Sequence, residues 1–431
     1  MQTEQLYQIF LKFPQVITDS RKASPGTLFF ALKGDNFDGN TYASKALESG
    51  CEYAIIDNPE FYLNEKTILV EDTLIALQKL AAFHRKTLGL PILSITGTNG
   101  KTTTKELVHA VLSKKFRTIA TTGNLNNHIG VPLTLLSITP DIEMAVVEMG
   151  ANHPGEIATL CEIAQPDFGL ITNIGKAHLE GFGSFEGIKK TKGELYRFLE
   201  KHQGRIFINK DNPILKEISG NLPRFTYGTD DNAELQGEIL DTASMFLYFR
   251  ALYPKGWLYH KTNLVGNYNF ENAMAAAAIG LYFGVDPLLI QKAIEEYKPQ
   301  NLRSQLIRKE NNTILLDAYN ANPTSMRASL NNFIKMKPHK PLLILGDMLE
   351  LGASSAEEHQ KIIELAIEGR FKNVILVGEQ FGNTSTPDGY LKFTTSKEVA
   401  EFLKQTPPEG NTILIKGSRG IKLEGLVELI S

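Results

Sequence analysis

The segment Gly97-Thr98-Asn99-Gly100-Lys101-Thr102-Thr103 carries the densest chemistry in the chain. Its residue types suit a phosphate anion. Glycines let backbone N–H groups turn inward, a helix starting at the loop adds partial positive charge, and Lys101 neutralises β- and γ-phosphates. Thr102 offers a hydroxyl to a magnesium ion riding on those phosphates. The pattern is the short G-x-x-G-K-T. The longer G-x-x-x-x-G-K-[ST] is not met, because its first glycine position falls on Ile95. A tight turn that happens to carry a lysine is the bland alternative. An apolar run, Ile92-Leu93-Ser94-Ile95, before the loop and a helical pattern from about Thr102 to Lys115 after it favour ATP.

Three further groups could serve the same chemistry. Glu148 follows the apolar run Met144–Val147, which places a carboxylate at the C-terminal end of an expected parallel strand. Ligands of open α/β sheets gather at that edge, so Glu148 is a reasonable magnesium ligand beside Thr102; a solvated strand-end glutamate is the other reading. His178 lies in the glycine-containing stretch Gly175–Ser184 after another strand-like run, where a histidine taken alone is more often structural than a ligand. Lys192, in Lys189-Lys190-Thr191-Lys192, reads on its own as one of several solvated charges.

These residues need a scaffold, and the chain alternates strand and helix signals throughout. Before residue 88, Leu28–Leu32, Tyr53–Ile56 and Thr67–Val70 read as strands. Leu74, Leu77, Leu80, Ala81, His84 and Leu88 recur at helical spacing, as in an amphipathic helix joining two domains. From Pro91, strand runs at Ile92–Ile95, Thr118–Thr121, Met144–Val147, Phe168–Ile174 and Arg205–Ile208 alternate with helical stretches, and Asn272–Leu281 is alanine-rich and helical by propensity. After Pro299 the rhythm restarts. Strands are expected at Thr313–Leu316, Pro341–Leu345, Asn373–Val377 and Thr412–Ile415, with helices near 324–336, 355–369 and 396–405, the last capped by Ser396. The expectation is an α/β protein of three domains, 1–88, 89–299 and 300–431, the central one a mostly parallel sheet covered by helices on both faces.

Composition agrees with that plan. At about 150 residues per domain, 431 residues suit three domains. Hydrophobic residues make up 42% and charged residues 22%, which excludes a disordered or fibrous chain. The formal net charge of −3 gives no global pull toward nucleic acid or an anionic membrane. Cys51 and Cys161 are too few for a disulfide framework, so buried free thiols in a reducing compartment are expected. The N-terminus lacks the basic and apolar segments of a signal peptide, and no apolar run reaches a membrane span of roughly 18 residues. A cytoplasmic location follows as an expectation.

Taken together, the motifs resemble those of the Mur ligases of peptidoglycan assembly. The loop Thr96–Thr103 is similar to theirs and to that of folylpolyglutamate synthetases. Further strings match in family order: Gly123–Pro132, Val147–Asn152, Asp317–Pro323, Leu345–Gly352 and Lys416–Arg419. The Asn320-Ala321-Asn322-Pro323 and Gly346–Gly352 strings resemble the branch that joins D-alanyl-D-alanine to UDP-N-acetylmuramoyl-tripeptide.

That resemblance implies a role for each matching position. Lys101 and Thr102 would hold ATP phosphates and a first magnesium, with Glu148 as the other protein ligand, and His178 would face a second magnesium. Lys192 matches the lysine that is carbamylated in many relatives, where its new carboxylate meets metal. Asn269 and Asn272 match an adenine-side motif, with Tyr268 where relatives often carry histidine. Arg303 and Asp317 match positions that bring the C-terminal domain onto ATP, the aspartate through ribose. Ser20, Arg21, Lys33 and Asp38 resemble the UDP-binding part of the first domain, with ordinary polar loops as the alternative. Asn124 and Asn127 would position the muramoyl peptide, and Asn320 and Asn322 would serve the acceptor. The implied domains are a UDP-binding N-terminal unit, a P-loop ATPase-like central unit and a closing Rossmann-like C-terminal unit, acting as a monomer. A folylpolyglutamate synthetase fits less well, because about 95 residues precede Gly97; a MurE-type ligase lacks the Asn-Ala-Asn-Pro string. A non-catalytic ATP-binding regulator is not expected to keep Lys101, Glu148, His178 and Lys192 together, and no site resembling a kinase's hydroxyl acceptor is evident.

Overall fold

A computed structural model describes residues 1–241, 244–299 and 302–430. The expected boundary at residue 300, like the final residue 431, lies outside them. Three main sheets run in chain order. The first is wholly parallel, in the order Gln15–Ile17, Thr27–Phe30, Tyr53–Ile56, Thr67–Leu69. Helix Thr73–Leu88 follows as expected. Asp72 accepts from the Ile75 N–H at its start, and Gly89 ends it in left-handed backbone. Its buried face, Leu77, Leu80, Ala81 and His84, is shared between two units. Tyr7 meets His84 Nδ1 at 3.1 Å from the N-terminal helix, while His84 Nε2 lies 2.8 Å from the Ile138 carbonyl of the central unit. Each fully buried leucine here contributes about 2 kcal/mol of hydrophobic stabilisation.

The central sheet has nine strands among the described residues. Ile92–Thr96 lies between Phe168–Ile171 and Met144–Glu148, all parallel, with Ile95 opposite Glu148 and Thr96 opposite Ile171. All five residues of Ile92–Thr96 are buried because both faces are covered. Ile92 faces one core with Ala145, Val147 and Ile171; Leu93 and Ile95 face the other with Met144, Val146 and Leu170. The chain leaves Ile92–Thr96 for strands on one side and later returns on the other. This reversal of strand order opens a crevice at the C-terminal edge, above residues 97–100.

Two corrections apply to this unit. The strand expected at Phe168–Ile174 ends at Ile171, because Thr172 and Asn173 leave the sheet to hold the phosphate loop. The antiparallel pair Phe246–Tyr253 and Gly256–Val265 was not anticipated. Its inward residues Leu247, Phe249, Ala251 and Tyr253 do alternate, but Phe246, Tyr248 and Leu252 between them are apolar as well, so the two-residue period is blurred.

The third sheet has six strands among the described residues. The antiparallel edge Gln305–Arg308 is followed by the parallel strands Thr313–Asp317, Thr412–Lys416, Pro341–Gly346, Val374–Val377 and Leu391–Phe393. Helices Pro323–Lys335, Ser355–Glu368 and Ser396–Gln405 stand close to expectation. Thr395, not Ser396, caps the last of these by accepting from the Glu398 N–H; the preceding residue is the one with extended backbone. Both cysteines are free and buried. No helix among the described residues is long and apolar enough to cross a membrane.

Candidate active site

The phosphate loop is built by close packing against its neighbours. Gly97 has φ +140, and a Cβ there would stand 2.0 Å from Thr172 Oγ1; Gly100 has φ +81, and a Cβ there would meet Asn272 Oδ1 at 2.4 Å. Only glycine fits either place. Thr98 N and Asn99 N donate to the backbone and side-chain oxygens of Asn173, at 2.9 and 3.0 Å, and Thr98 Oγ1 accepts from Gly175 N at 2.9 Å. Helix Lys101–Leu112 then starts directly beneath, its N-terminal N–H groups facing the crevice.

The loop opens into a cavity of about 890 Å3 between the central and C-terminal sheets. From the central side it is lined by Thr98, Asn99, Gly100, Lys101, Thr102, Thr103, Asn124, Asn127, Glu148, His178, Asn269 and Asn272. Arg303, Asp317, Asn320 and Asn322 line it from the C-terminal side. Gly97 lies behind the loop. Ser20, Arg21, Lys33 and Asp38 do not reach this cavity: Arg21 pairs with Asp19 at 2.7 Å, Lys33 with Asp57 at 2.9 Å, and Asp38 accepts from Asn40 N at 2.9 Å.

Charge is distributed unevenly around it. Lys101 Nζ donates to the carbonyls of Gly97 and Thr98, at 2.8 and 3.0 Å, and has no carboxylate in contact. Desolvation, joined by nearby Arg303 and opposed by Glu148, lowers its pKa to about 8. Arg303 lies with its guanidinium carbon 3.8 Å from the Tyr319 ring centre, and its buried Nε has no hydrogen-bond partner. Two cations therefore face one hollow, an arrangement suited to a polyanion.

Glu148 is buried. Its Oε1 accepts from Asn126 Nδ2 at 2.8 Å and Thr102 Oγ1 at 3.2 Å, while Oε2 has no hydrogen-bond partner. A buried unpaired carboxylate oxygen beside a threonine hydroxyl fits a hard divalent cation. Among the described residues no group of three or more His, Cys, Asp or Glu could hold a metal ion.

His178 meets Glu350 of the C-terminal unit through Nδ1, and the neighbouring histidine holds the Glu350 carboxyl below its ordinary range. Lys192 lies just behind the wall: its Nζ reaches the Ala151 carbonyl at 3.4 Å and sits 5.4 Å above the Phe182 ring. Burial, and then repulsion by Lys101, lower its pKa to about 7, against attraction from Glu156 and Glu194. A neutral amine at this pH is the form that can add carbon dioxide.

Several expected contact residues already have partners. Asn269 donates to the Val265 carbonyl and accepts from Asn272, whose Oδ1 accepts from Thr104. Asn127 Oδ1 accepts from Ile129 N and Gly130 N. Asn322 Nδ2 donates to Asn99 Oδ1 at 2.8 Å, tying the phosphate loop to the C-terminal unit. Sequence reasoning passed over Asn126, Tyr319 and Lys416 as site residues. Lys416, 1% exposed, forms an ion pair with Asp317, and both line the cavity. Its signals in the sequence are its place just past an expected strand and its position at the head of the Lys416–Arg419 string.

The comparisons agree with this architecture. Residues 95–280 match the Mur ligase middle domain, 302–419 the Mur ligase glutamate ligase domain and 13–85 the Mur ligase family catalytic domain. The UDP-N-acetylmuramoyl-tripeptide–D-alanyl-D-alanine ligase of Bacillus subtilis is 36% identical over 426 residues, covering 96% of this chain and 92% of its own. The crystal structure of MurF from Acinetobacter baumannii superposes with a TM-score of 0.86 at 31% identity, over 99% of this chain and 97% of that one. MurF ligase from Thermotoga maritima, solved in complex with ADP, also gives 0.86, at 26% identity over 97% of each. With its three units, its short phosphate loop and its near full-length likeness to these ligases, the chain belongs to the Mur ligase family.

Proposed function

We propose that this protein joins D-alanyl-D-alanine to UDP-N-acetylmuramoyl-tripeptide in an ATP-consuming amide ligation, acting as a monomer in the cytoplasm. The observation that carries the reading is the convergence of Lys101 and Arg303, from the central and C-terminal units, on one cavity that also holds the half-paired Glu148. Domains are read as 1–88, 89–299 and 300–431, with the UDP moiety assigned to Ser20, Arg21, Lys33 and Asp38.

A carboxylate is a poor acyl donor because its charge is delocalised and oxide is a poor leaving group. Transfer of the γ-phosphoryl group to the tripeptide carboxylate breaks the β,γ P–O bond, forms an acyl phosphate and leaves ADP. The dipeptide amine then attacks the acyl carbon. The C–N bond forms, the bond to phosphate breaks, and the amine proton is released. Lys101 and Arg303 offset the charge that both steps crowd together. Thr102 and Glu148 would hold magnesium, with His178 toward a second ion and a carbamylated Lys192 behind it. Magnesium supplies Lewis-acid screening of phosphate and carboxylate oxygens. Asp317, Asn320 and Asn322 close the cavity from the C-terminal side, which keeps water from the acyl phosphate.

The test is ADP release with purified UDP-muramoyl-tripeptides ending in diaminopimelate or lysine, adding D-alanyl-D-alanine, diaminopimelate, lysine or glutamate last. Release that depends on D-alanyl-D-alanine, with the matching mass gain, is expected. Release dependent on another acceptor would overturn the assignment.

A further inference from the structure

Arg303 brings its cation to the cavity from a segment of unfavourable backbone. The residues on either side of it, Leu302 and Ser304, both hold left-handed conformations, with φ +60 and +48. Neither residue type favours that region, so such backbone persists where surrounding structure enforces it.

The enforcement comes from two units. On one side of Arg303, Leu302 packs against the C-terminal core that holds Ile314, Leu316 and Ala318. On the other, Ser304 Oγ shares a hydrogen bond with the hydroxyl of Tyr268, 2.6 Å away across the seam between the central and C-terminal units. Tyr268 is itself anchored. It stands in the turn Asn267–Asn269 that leads into helix Phe270–Tyr282, whose residues Ala273–Gly280 are all buried. Its ring lies against Gly266, where a Cβ would come 2.4 Å from Tyr268 Cε1, so a larger residue there would displace the ring. Ser304 N also donates to Asp317 Oδ1 at 3.4 Å, the aspartate that pairs with Lys416.

We propose that Tyr268 is a positioning residue for the ligation: through the hydroxyl of Ser304 it holds Arg303 in place, with the guanidinium on the Tyr319 ring and ready for the anion that the cavity receives. An arginine side chain has many rotamers, and it serves an anion best when these are restricted beforehand. Three restraints bear on Arg303, namely the Tyr319 ring 3.8 Å away, Leu302 behind and Ser304 ahead. Tyr268 supplies the restraint that crosses the seam, so a cation of the C-terminal unit is set by a residue of the central one. The tie is made between two uncharged hydroxyls. A carboxylate in their place would hold the segment as well but would neutralise the charge that the anion is to meet. The consequence for turnover rests on the ligase reading; the placement of Arg303 does not.

The experiment uses the full chain labelled with 15N-arginine and read without substrates, the Arg303 Nε–H signal being the one lost in Arg303→Lys. In wild type this group is buried and its guanidinium lies over the Tyr319 ring, so the signal should be shifted by the ring and exchange slowly with water. Tyr268→Phe and Ser304→Ala each remove one hydroxyl. Each should move the signal toward that of an exposed arginine and lower turnover about 10- to 100-fold, with KM for D-alanyl-D-alanine within about twofold. Both variants break the same bond, so the double variant should fall no further than the lower single. Should one single variant not fold, the other carries the spectrum and the turnover comparison alone. An unmoved Arg303 signal in a folded single variant, turnover within about twofold of wild type, or losses that multiply in the double variant would overturn the assignment. A chain inactive with every acceptor would defeat the ligase reading separately and leave the spectral result standing.

Discussion

The two walls of the cavity treat charge in opposite ways. On the central wall, Lys101 and Lys192 are desolvated without a carboxylate in contact, and Glu148 keeps one oxygen unpaired. On the C-terminal wall and its seam, Arg303 apart, charges are matched already: Lys416 with Asp317, and Lys176 with Glu358 at 2.9 Å. Unmatched buried charge costs stability, so a wall that keeps it is built to receive a ligand of opposite sign. Matched pairs hold geometry instead. The central wall, joined by Arg303, binds, and the paired residues of the C-terminal wall position.

This contrast is most exposed to Glu148→Ala. Removing the half-free carboxylate should lower turnover at saturating ATP by about 10^2–10^3-fold or more while leaving the fold intact, as read by single-turnover kinetics and circular dichroism. Near-normal turnover would remove Glu148 from the binding wall. The positioning wall should respond the other way. Asp317→Ala strands the buried Lys416 cation and should cost about 3 kcal/mol of stability in denaturant titrations. A loss of activity with unchanged stability would show that the pair is not structural.

The unmatched wall can also be probed by pH. Lys192 has a folded pKa of about 7, against 10.5 for an ordinary lysine, so between these values the unfolded chain holds a proton that the folded one has shed. Wild-type stability should therefore rise relative to Lys192→Met from pH 7 to pH 10. A constant difference would mean that the amine is not strained by burial. The smallest effect belongs to Lys176→Ala. Lys176 is half exposed and Lys361 still reaches the buried Glu358 at 3.4 Å, so losing the Lys176 partnership should cost under about 1 kcal/mol.

The binding wall was the legible one, for a physical reason. A strand, a glycine turn and a helix start are local, so residues 92–112 announce their chemistry in one stretch. Glu148 ends a strand and is found by the same rule, whereas His178 takes its role from the family resemblance alone. The positioning wall depends on pairs distant in sequence. Lys416 and Asp317 are 99 residues apart, and Glu350 meets His178 only because two domains touch. No local pattern encodes such a meeting. The amides of Asn269, Asn272 and Asn127 teach the converse: their positions matched a motif, yet each is engaged in holding backbone or a neighbouring side chain. The central antiparallel pair escaped notice because its outward face is nearly as apolar as its inward one.

Oxygen transfer tests the central claim most directly. UDP-muramoyl-tripeptide carrying 18O in its terminal carboxylate is turned over with ATP and D-alanyl-D-alanine, and the released phosphate is weighed by mass spectrometry. Activation of the carboxyl as an acyl phosphate predicts one 18O in each phosphate formed. Phosphate without label, alongside normal amide formation, would contradict it.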